Sequence, residues 1–291
     1  MATTQRSDLI LPSILAEDVL KGFAGKLVLA SSGALVMNPG LQAGPENVGN
    51  TVTVPYFEDG GEAQQIAENG AISLEKVTQS SETSTVVRFG KGFSMTALSR
   101  MAKAQGLDIY DVAREMIQLA FARAIDTLCY TRALARASSG SMEYDGSVAN
   151  VSTTAIVETL KLFGEELDDS QLAVWAMNPK PYWDAAQLAD STGRTLYTDV
   201  QGGRLSQIGG APVRMTAKSD MVVAGSPNTY KNLLCKRGSM IAWINESPTI
   251  DVVRDATADV DMLVANLYGV IHAYGTMPGG TKPGVAVMKT R

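Results

Sequence analysis

Few residues in this sequence have the type and spacing for chemistry, and they are scattered. The single histidine, His272, sits in Gly269-Val270-Ile271-His272-Ala273-Tyr274, a strand-like context. One imidazole with no cysteine beside it cannot fill the three or four ligand positions of a zinc site, and no serine or cysteine stands with it in a nucleophile motif. His272 is therefore expected to be a structural strand residue. Gly90-Lys91-Gly92 lies between strand-like segments and not ahead of a helix, where a phosphate cradle needs it. The glycine pairs at 202–203 and 209–210 fit hairpin turns. Asp255, Asp259 and Asp261 lack the glycine and bidentate glutamate of an EF-hand loop, so solvated strand or turn positions are expected. Glu165, Glu166, Asp168 and Asp169 follow an amphipathic stretch and read as a wet surface. Cys129 and Cys235 are far apart in apolar surroundings, the setting of buried free thiols. Asn150-Val151-Ser152 and Asn245-Glu246-Ser247 match a glycosylation sequon that carries no weight without a secretion signal. Trp175, Trp183 and Trp243 are expected in the core, with one or two left open as interface anchors. No catalytic, metal or cofactor residue emerges, and an enzyme is not expected.

The bulk numbers argue against a protein that grips nucleic acid along a groove. At 291 residues, 45% hydrophobic and 19% charged, the chain can bury a substantial core and is long enough for two subdomains. Its net charge of −5 and lack of a basic patch argue against gripping nucleic acid, though not against enclosing it. Asp8, Glu17 and Asp18 interrupt any signal-peptide core after Arg6, and no apolar run reaches membrane-spanning length.

The elements that would position these residues have an unusual order. Residues 1–11 read as an arm, and Pro12 opens a short amphipathic helix through Phe23. Residues 31–50 read as loop. Thr51–Phe57 alternates as a strand, with Pro55 placing it at an edge. A polar stretch follows, then a second strand-like run from about Val77 through Phe89 toward Met95. Each arm of this hairpin would reach roughly 25–35 Å. So polar a ribbon cannot bury itself and needs a neighbour, in this chain or another. Apolar residues from Ile109 to Leu128, including Val112, Ala113, Met116, Ile117 and Phe121, recur at helical spacing. Asp108 is placed to cap that helix, and Arg132 and Arg136 suit its negative end. The helix should span 108–137, roughly 45 Å.

Beyond a Gly/Ser/Asn-rich link at 138–151 the pattern is mixed. Helices are expected at Thr153–Glu166, from Pro179–Pro181 to Ala189, and at Pro227–Cys235. Strands are expected at Leu172–Met177, Leu205–Met215, Met221–Ala224, Met240–Asn245, through Thr249–Gly275, and at Val285–Met288.

Several runs resemble the tailed-bacteriophage major capsid family, whose Hong Kong 97-type fold is shared with encapsulins. Asp8-Leu9-Ile10-Leu11-Pro12 is similar to the opening of many such coat proteins. Gly49-Asn50-Thr51-Val52-Thr53-Val54-Pro55-Tyr56-Phe57 resembles their entry to an extended loop. Gly60 through Ile72 and Phe89-Gly90-Lys91-Gly92-Phe93-Ser94-Met95-Thr96 are similar to its tip and exit, with Ser94-Met95-Thr96-Ala97 departing from the commoner Thr-Asp ending. Tyr268-Gly269-Val270 resembles a near-terminal strand of the family.

The resemblance implies an α+β fold: an N-terminal arm at 1–25, an extended loop at 50–95, and an axial domain at 151–245. A peripheral domain would take 26–49, 96–150 and 246–291, including a spine helix at 108–137. In the family the loop lies across an adjacent subunit, so Tyr56, Phe57, Glu58, Asp59, Glu62, Glu68, Glu75 and Lys76 are expected at an inter-subunit contact. Some relatives cross-link a loop lysine to a neighbour's asparagine, a role the resemblance offers to Lys76. The implied function is a self-assembling icosahedral shell of pentamers and hexamers around double-stranded DNA, without sequence-specific binding. A portal protein and a separate scaffolding protein are the implied partners, the latter because Met1 stands almost directly before the arm. Assembly would occur in the bacterial host cytoplasm, with the virion as destination and no cofactor or membrane involved. The alternatives are an encapsulin-like nanocompartment shell and, further off, a soluble α/β enzyme or ligand-binding protein.

Overall fold

The computed structural model describes residues 28–38, 51–57, 66, 79–96, 109–189, 196, 205–217, 221–244, 249–255, 259–278 and 280–291. In chain order these give α1 (Val28–Ser31), β1 (Leu35–Asn38), β2 (Thr51–Phe57), β3 (Gln79–Thr85), β4 (Val87–Thr96), α2 (Ile109–Ser139), β5 (Glu143–Asp145) and α3 (Thr153–Lys161). Then follow β6 (Leu172–Met177), α4 (Pro179–Ala186), β7 (Gln207–Ile208), β8 (Ala211–Met215), β9 (Val222–Val223) and β10 (Thr229–Lys236). The chain closes with β11 (Met240–Ile244), β12 (Thr249–Asp255), β13 (Val260–Ala273) and β14 (Val285–Thr290).

Two mixed sheets make an α+β body. The five-stranded sheet runs β1-β11-β13-β12, with β4 on the other side of β13. β13 is 14 residues long and serves as the shared rail: β12 pairs with its first half, β11 with its second, and β4 along ten of its residues. The seven-stranded sheet runs β5-β14-β10-β6-β8-β7, with β9 also on β10. At its centre β6 is buried at all six positions, as a continuous apolar run should be when both faces are covered. Gly209 and Gly210, both at positive φ, make the two-residue turn between β7 and β8 where only glycine adopts such angles freely. Helix α3 is capped by Ser152, whose side-chain oxygen accepts from the Ala155 N–H at 3.1 Å.

Helix α2 joins the sheets. Its 31 residues span about 46 Å. Ala113, Ile117, Phe121, Ile125, Cys129, Tyr130, Ala133 and Ala137 are buried along one stripe. That stripe packs on β13 and β4 of one sheet and on β14 of the other. The apolar surfaces of both sheets and the helix merge into one cluster.

Several sequence expectations are corrected. The stretch 227–235, expected as a helix behind Pro227, is strand β10; buried Leu233, Leu234 and Cys235 are paired on both sides, by β14 and β6. Helix α3 stops at Lys161, short of Glu166, and Gly164 at positive φ lies in a separate 3-10 turn. The expected loop 31–50 contains β1, which pairs in parallel with β11, and the link 138–151 contains β5, which pairs in parallel with β14. Met116, placed on the buried stripe from its spacing, is 52% exposed. The second arm of the hairpin is two strands, β3 and β4, and β4 finds its neighbour within this chain. In the seven-stranded sheet 285–290 lies between 143–145 and 229–236, and in the five-stranded sheet 240–244 pairs with 269–273. The N-terminal helix, Asp108 and the Gly202-Gly203 turn lie outside the described residues.

Candidate assembly interface

The hairpin β2–β3 sorts its side chains by the strand period. Val52, Val54 and Tyr56 lie opposite Ser84, Glu82 and Ser80 on a half-buried face, with Val54 fully covered and Ser84 buried. The other face, Thr51, Thr53, Pro55 and Phe57 with Gln79, Ser81, Thr83 and Thr85, is exposed at every position. A two-stranded ribbon is marginal alone. A polar knot at its base holds it to the body.

Glu82 is the centre of that knot. Arg136 of α2 donates through Nη2 to Glu82 Oε2 at 2.8 Å and through Nε to the Ala273 carbonyl at 2.9 Å. The Gly275 N–H donates to both carboxylate oxygens at 3.1 and 3.2 Å. A Cβ at 275 would press on Glu82 Oε1 and Arg136 Nη1, so the ends of those two side chains would have to shift to admit it. His272 Nε2 lies 2.8 Å from Glu82 Oε2 but off the line of a hydrogen bond, leaving the buried imidazole nitrogen without an aligned partner. Burial pushes the His272 pKa down, and Arg136 and Arg132 push it the same way, against the pull of Glu82. Tyr274 stacks edge-on against both His272 and Tyr56, at 5.4 and 6.3 Å between ring centres. Ser84 donates to the Ile271 carbonyl, and Arg132 Nη2 to Thr85 Oγ1 at 2.9 Å. Three elements (hairpin, long helix and β13) are thereby fixed at one place.

Away from the knot the surface offers apolar groups that the body does not cover. Phe57, at the distal end of β2, is 58% exposed. Met116 and Leu119 lie outside the buried stripe of α2. Val253 and its cross-strand neighbour Met262 are both exposed on the β12–β13 edge. Such groups distributed over a hairpin, a rod and a sheet edge suit contacts with several neighbours at once.

Of the residues expected at the inter-subunit contact, Tyr56 and Phe57 fall at the end of β2, Tyr56 turned to the body and Phe57 to solvent. Glu58, Asp59, Glu62, Glu68, Glu75 and Lys76 lie outside the described residues. Glu82, which sequence reading did not single out, organises the hairpin base. Its only signal was a carboxylate on the inward phase of Gln79-Ser80-Ser81-Glu82-Thr83-Ser84-Thr85. His272 is a strand residue as expected, 3% exposed. Glu165 and Asp168 of the acidic cluster are exposed, as a wet surface requires, and the half-exposed Glu166 also accepts hydrogen bonds from the Thr281 N–H and Oγ1, tying the loop before β14 to the body. Cys129 and Cys235 are buried and form no disulfide, and burial pushes the Cys235 thiol up to about 12, far from reactive. Trp175 is wholly buried in β6, whereas Trp183 of α4 is 47% exposed. Arg254 pairs with Asp259 at 3.3 Å, and no group of three or more metal-ligating side chains gathers among the described residues.

No family model and no curated protein matches the sequence. Solved structures match over the whole chain. A chain of Microbacterium phage Oxtober96 superposes with a TM-score of 0.63 at 14% identity, covering 100% of this chain and 96% of that one. The capsid of Ralstonia phage GP4 gives 0.60 at 11% identity, covering 99% and 94%. The capsid of an empty GTA particle gives 0.61 at 13% identity, covering 100% and 94%. The fold is that of a phage capsid chain. Within the capsid fold, the knot fixes where the hairpin leaves the body, and the exposed face of β2–β3 begins there.

Proposed function

We propose that this chain is the major capsid protein of a tailed phage, a shell subunit that works by assembling. The observation that carries the proposal is full-length similarity to capsid chains, end to end and without a leftover domain, at identities where only the fold is held in common. The hairpin with one exposed face supports it, since such a face gains from cover by a second copy. In this reading α2 is the spine helix. The part of the expected loop 50–95 that reaches across a neighbour is the hairpin outboard of the Glu82 knot, because β4 belongs to the subunit's own sheet. The chemistry of the shell is the sum of many modest contacts, with no bond made or broken. Pentamers and hexamers would enclose double-stranded DNA, and a wall with net charge −5 would let that DNA slide instead of holding it. A separate scaffolding protein and a portal protein complete the proposed set of partners, with assembly in the host cytoplasm and the virion as the final location.

Size exclusion and negative-stain electron microscopy on the purified protein, alone, concentrated and with its scaffold, test this. Rings or closed shells are expected. A compact monomer or dimer under all three conditions would overturn the reading.

A further inference from the structure

A cavity of about 290 Å³ opens beside the knot, lined by Thr83 and Ser84 of the hairpin, Arg132, Arg136 and Ser139 of α2, and His272 of β13 among others. Among the described residues its charges do not balance. Two guanidinium groups line it, while the carboxylate nearest to it, Glu82, is taken up by Arg136, Gly275 and the His272 contact. Among the described residues Arg132 has no carboxylate partner: its Nη2 reaches the Thr85 hydroxyl, and its buried Nε–H has no acceptor there. A guanidinium left with spare donors beside hydroxyls, in a cavity large enough for a small group, has the donor set that oxyanions seek.

We infer that this cavity is a binding site for one small oxyanion of single negative charge, a carboxylate or dihydrogen phosphate. The excess of one positive charge sets the valence, and the planar fork of Arg132 sets the preference for an oxyanion over chloride. The occupant comes either from solution or from an acidic side chain of a second copy. Either source would stiffen the hairpin base, since the lining draws on hairpin, helix and β13 together. The inference stands apart from the shell reading: an assembling chain can lack the site, and a chain that never assembles can possess it.

His272 is the only histidine in the sequence, so the untagged chain gives a single imidazole resonance as reporter. Unassembled protein is titrated with sodium acetate and, separately, with inorganic phosphate, against sodium chloride at equal ionic strength. The expected result is a saturable shift of that resonance with either oxyanion and none with chloride. Arg132→Gln should weaken binding about 10-fold, equivalent to about 1.4 kcal/mol. Arg214→Gln, at an exposed position on β8, should leave it unchanged. Absence of a saturable shift in the wild-type chain overturns the site, whatever becomes of the variants. Undiminished binding in Arg132→Gln also overturns it. Equilibrium dialysis of assembled wild-type and Arg132→Gln particles against radiolabelled phosphate then identifies the source: no Arg132-dependent uptake assigns the occupant to a second copy, and Arg132-dependent uptake assigns it to solution.

Discussion

At the scale of single residues, the knot around Glu82 concentrates more consequence than any other group. Replacing Glu82 with Gln leaves Arg136 without its charge partner; with Glu82 itself about one-fifth exposed, the cost should be about 1–2 kcal/mol, less than for a fully buried pair. Urea unfolding reads this directly. Gly275→Ala should loosen the same base by forcing Glu82 and Arg136 apart, seen as faster hydrogen exchange across β2–β3 with little change in the seven-stranded sheet. The histidine sets a pH dependence of definite sign. Its folded-state pKa lies below the ordinary 6.5, so on acidification the unfolded chain takes up the proton first. Its contribution to stability is whole above that value and declines as pH falls below it. Urea midpoints measured from about pH 7.5 down to about pH 5.5 should drop in the wild-type chain and drop less in His272→Gln.

At the scale of elements, the sequence was most legible where period and burial agree. The hydrophobic spacing of α2 located the helix to within two residues at either end, and the alternation of Thr51–Phe57 located β2 without error, Pro55 included, since among the described residues that strand pairs with β3 alone. β10 was misread because Leu233 and Leu234 carry no β-branched signature. What makes them strand is pairing with β14 and β6, partners more than fifty residues away in sequence. β1 and β5 escaped for a related reason: four and three residues hold too little pattern, and each exists as a strand only through a parallel partner far along the chain. The knot was hidden likewise, its members coming from three segments that no local pattern links. One element-scale test separates body from interface. Phe57→Ser should leave the subunit's unfolding within about 0.5 kcal/mol of wild type, since the ring packs little on its own chain, while reducing the yield of shells. Phe121→Ala, in the buried stripe of α2, should do the reverse of this, destabilising the subunit by about 3–5 kcal/mol.

At the scale of the whole molecule, both sheets are stitched from distant parts of the chain. β1 pairs with β11, β4 with β13, and β5 with β14, so that neither sheet is made from one contiguous stretch. β14 lies between β5 and β10 inside the seven-stranded sheet and is buried at nearly every position. A stop placed before Val285 should therefore yield aggregated protein, assayed by the soluble fraction on expression, although it removes only seven residues from the 291.

The stitching has a consequence for synthesis. A chain emerging N-terminus first exposes its hairpin and long helix early, yet can complete neither sheet until the residues of β13 and β14 have been made. Half-translated chains thus lack the body on which the hairpin base is fastened, and have no assembled surface to offer a growing lattice. A chain interrupted before β13 and β14 would leave the strands that pair with them, β4, β5, β10, β11 and β12, without those partners.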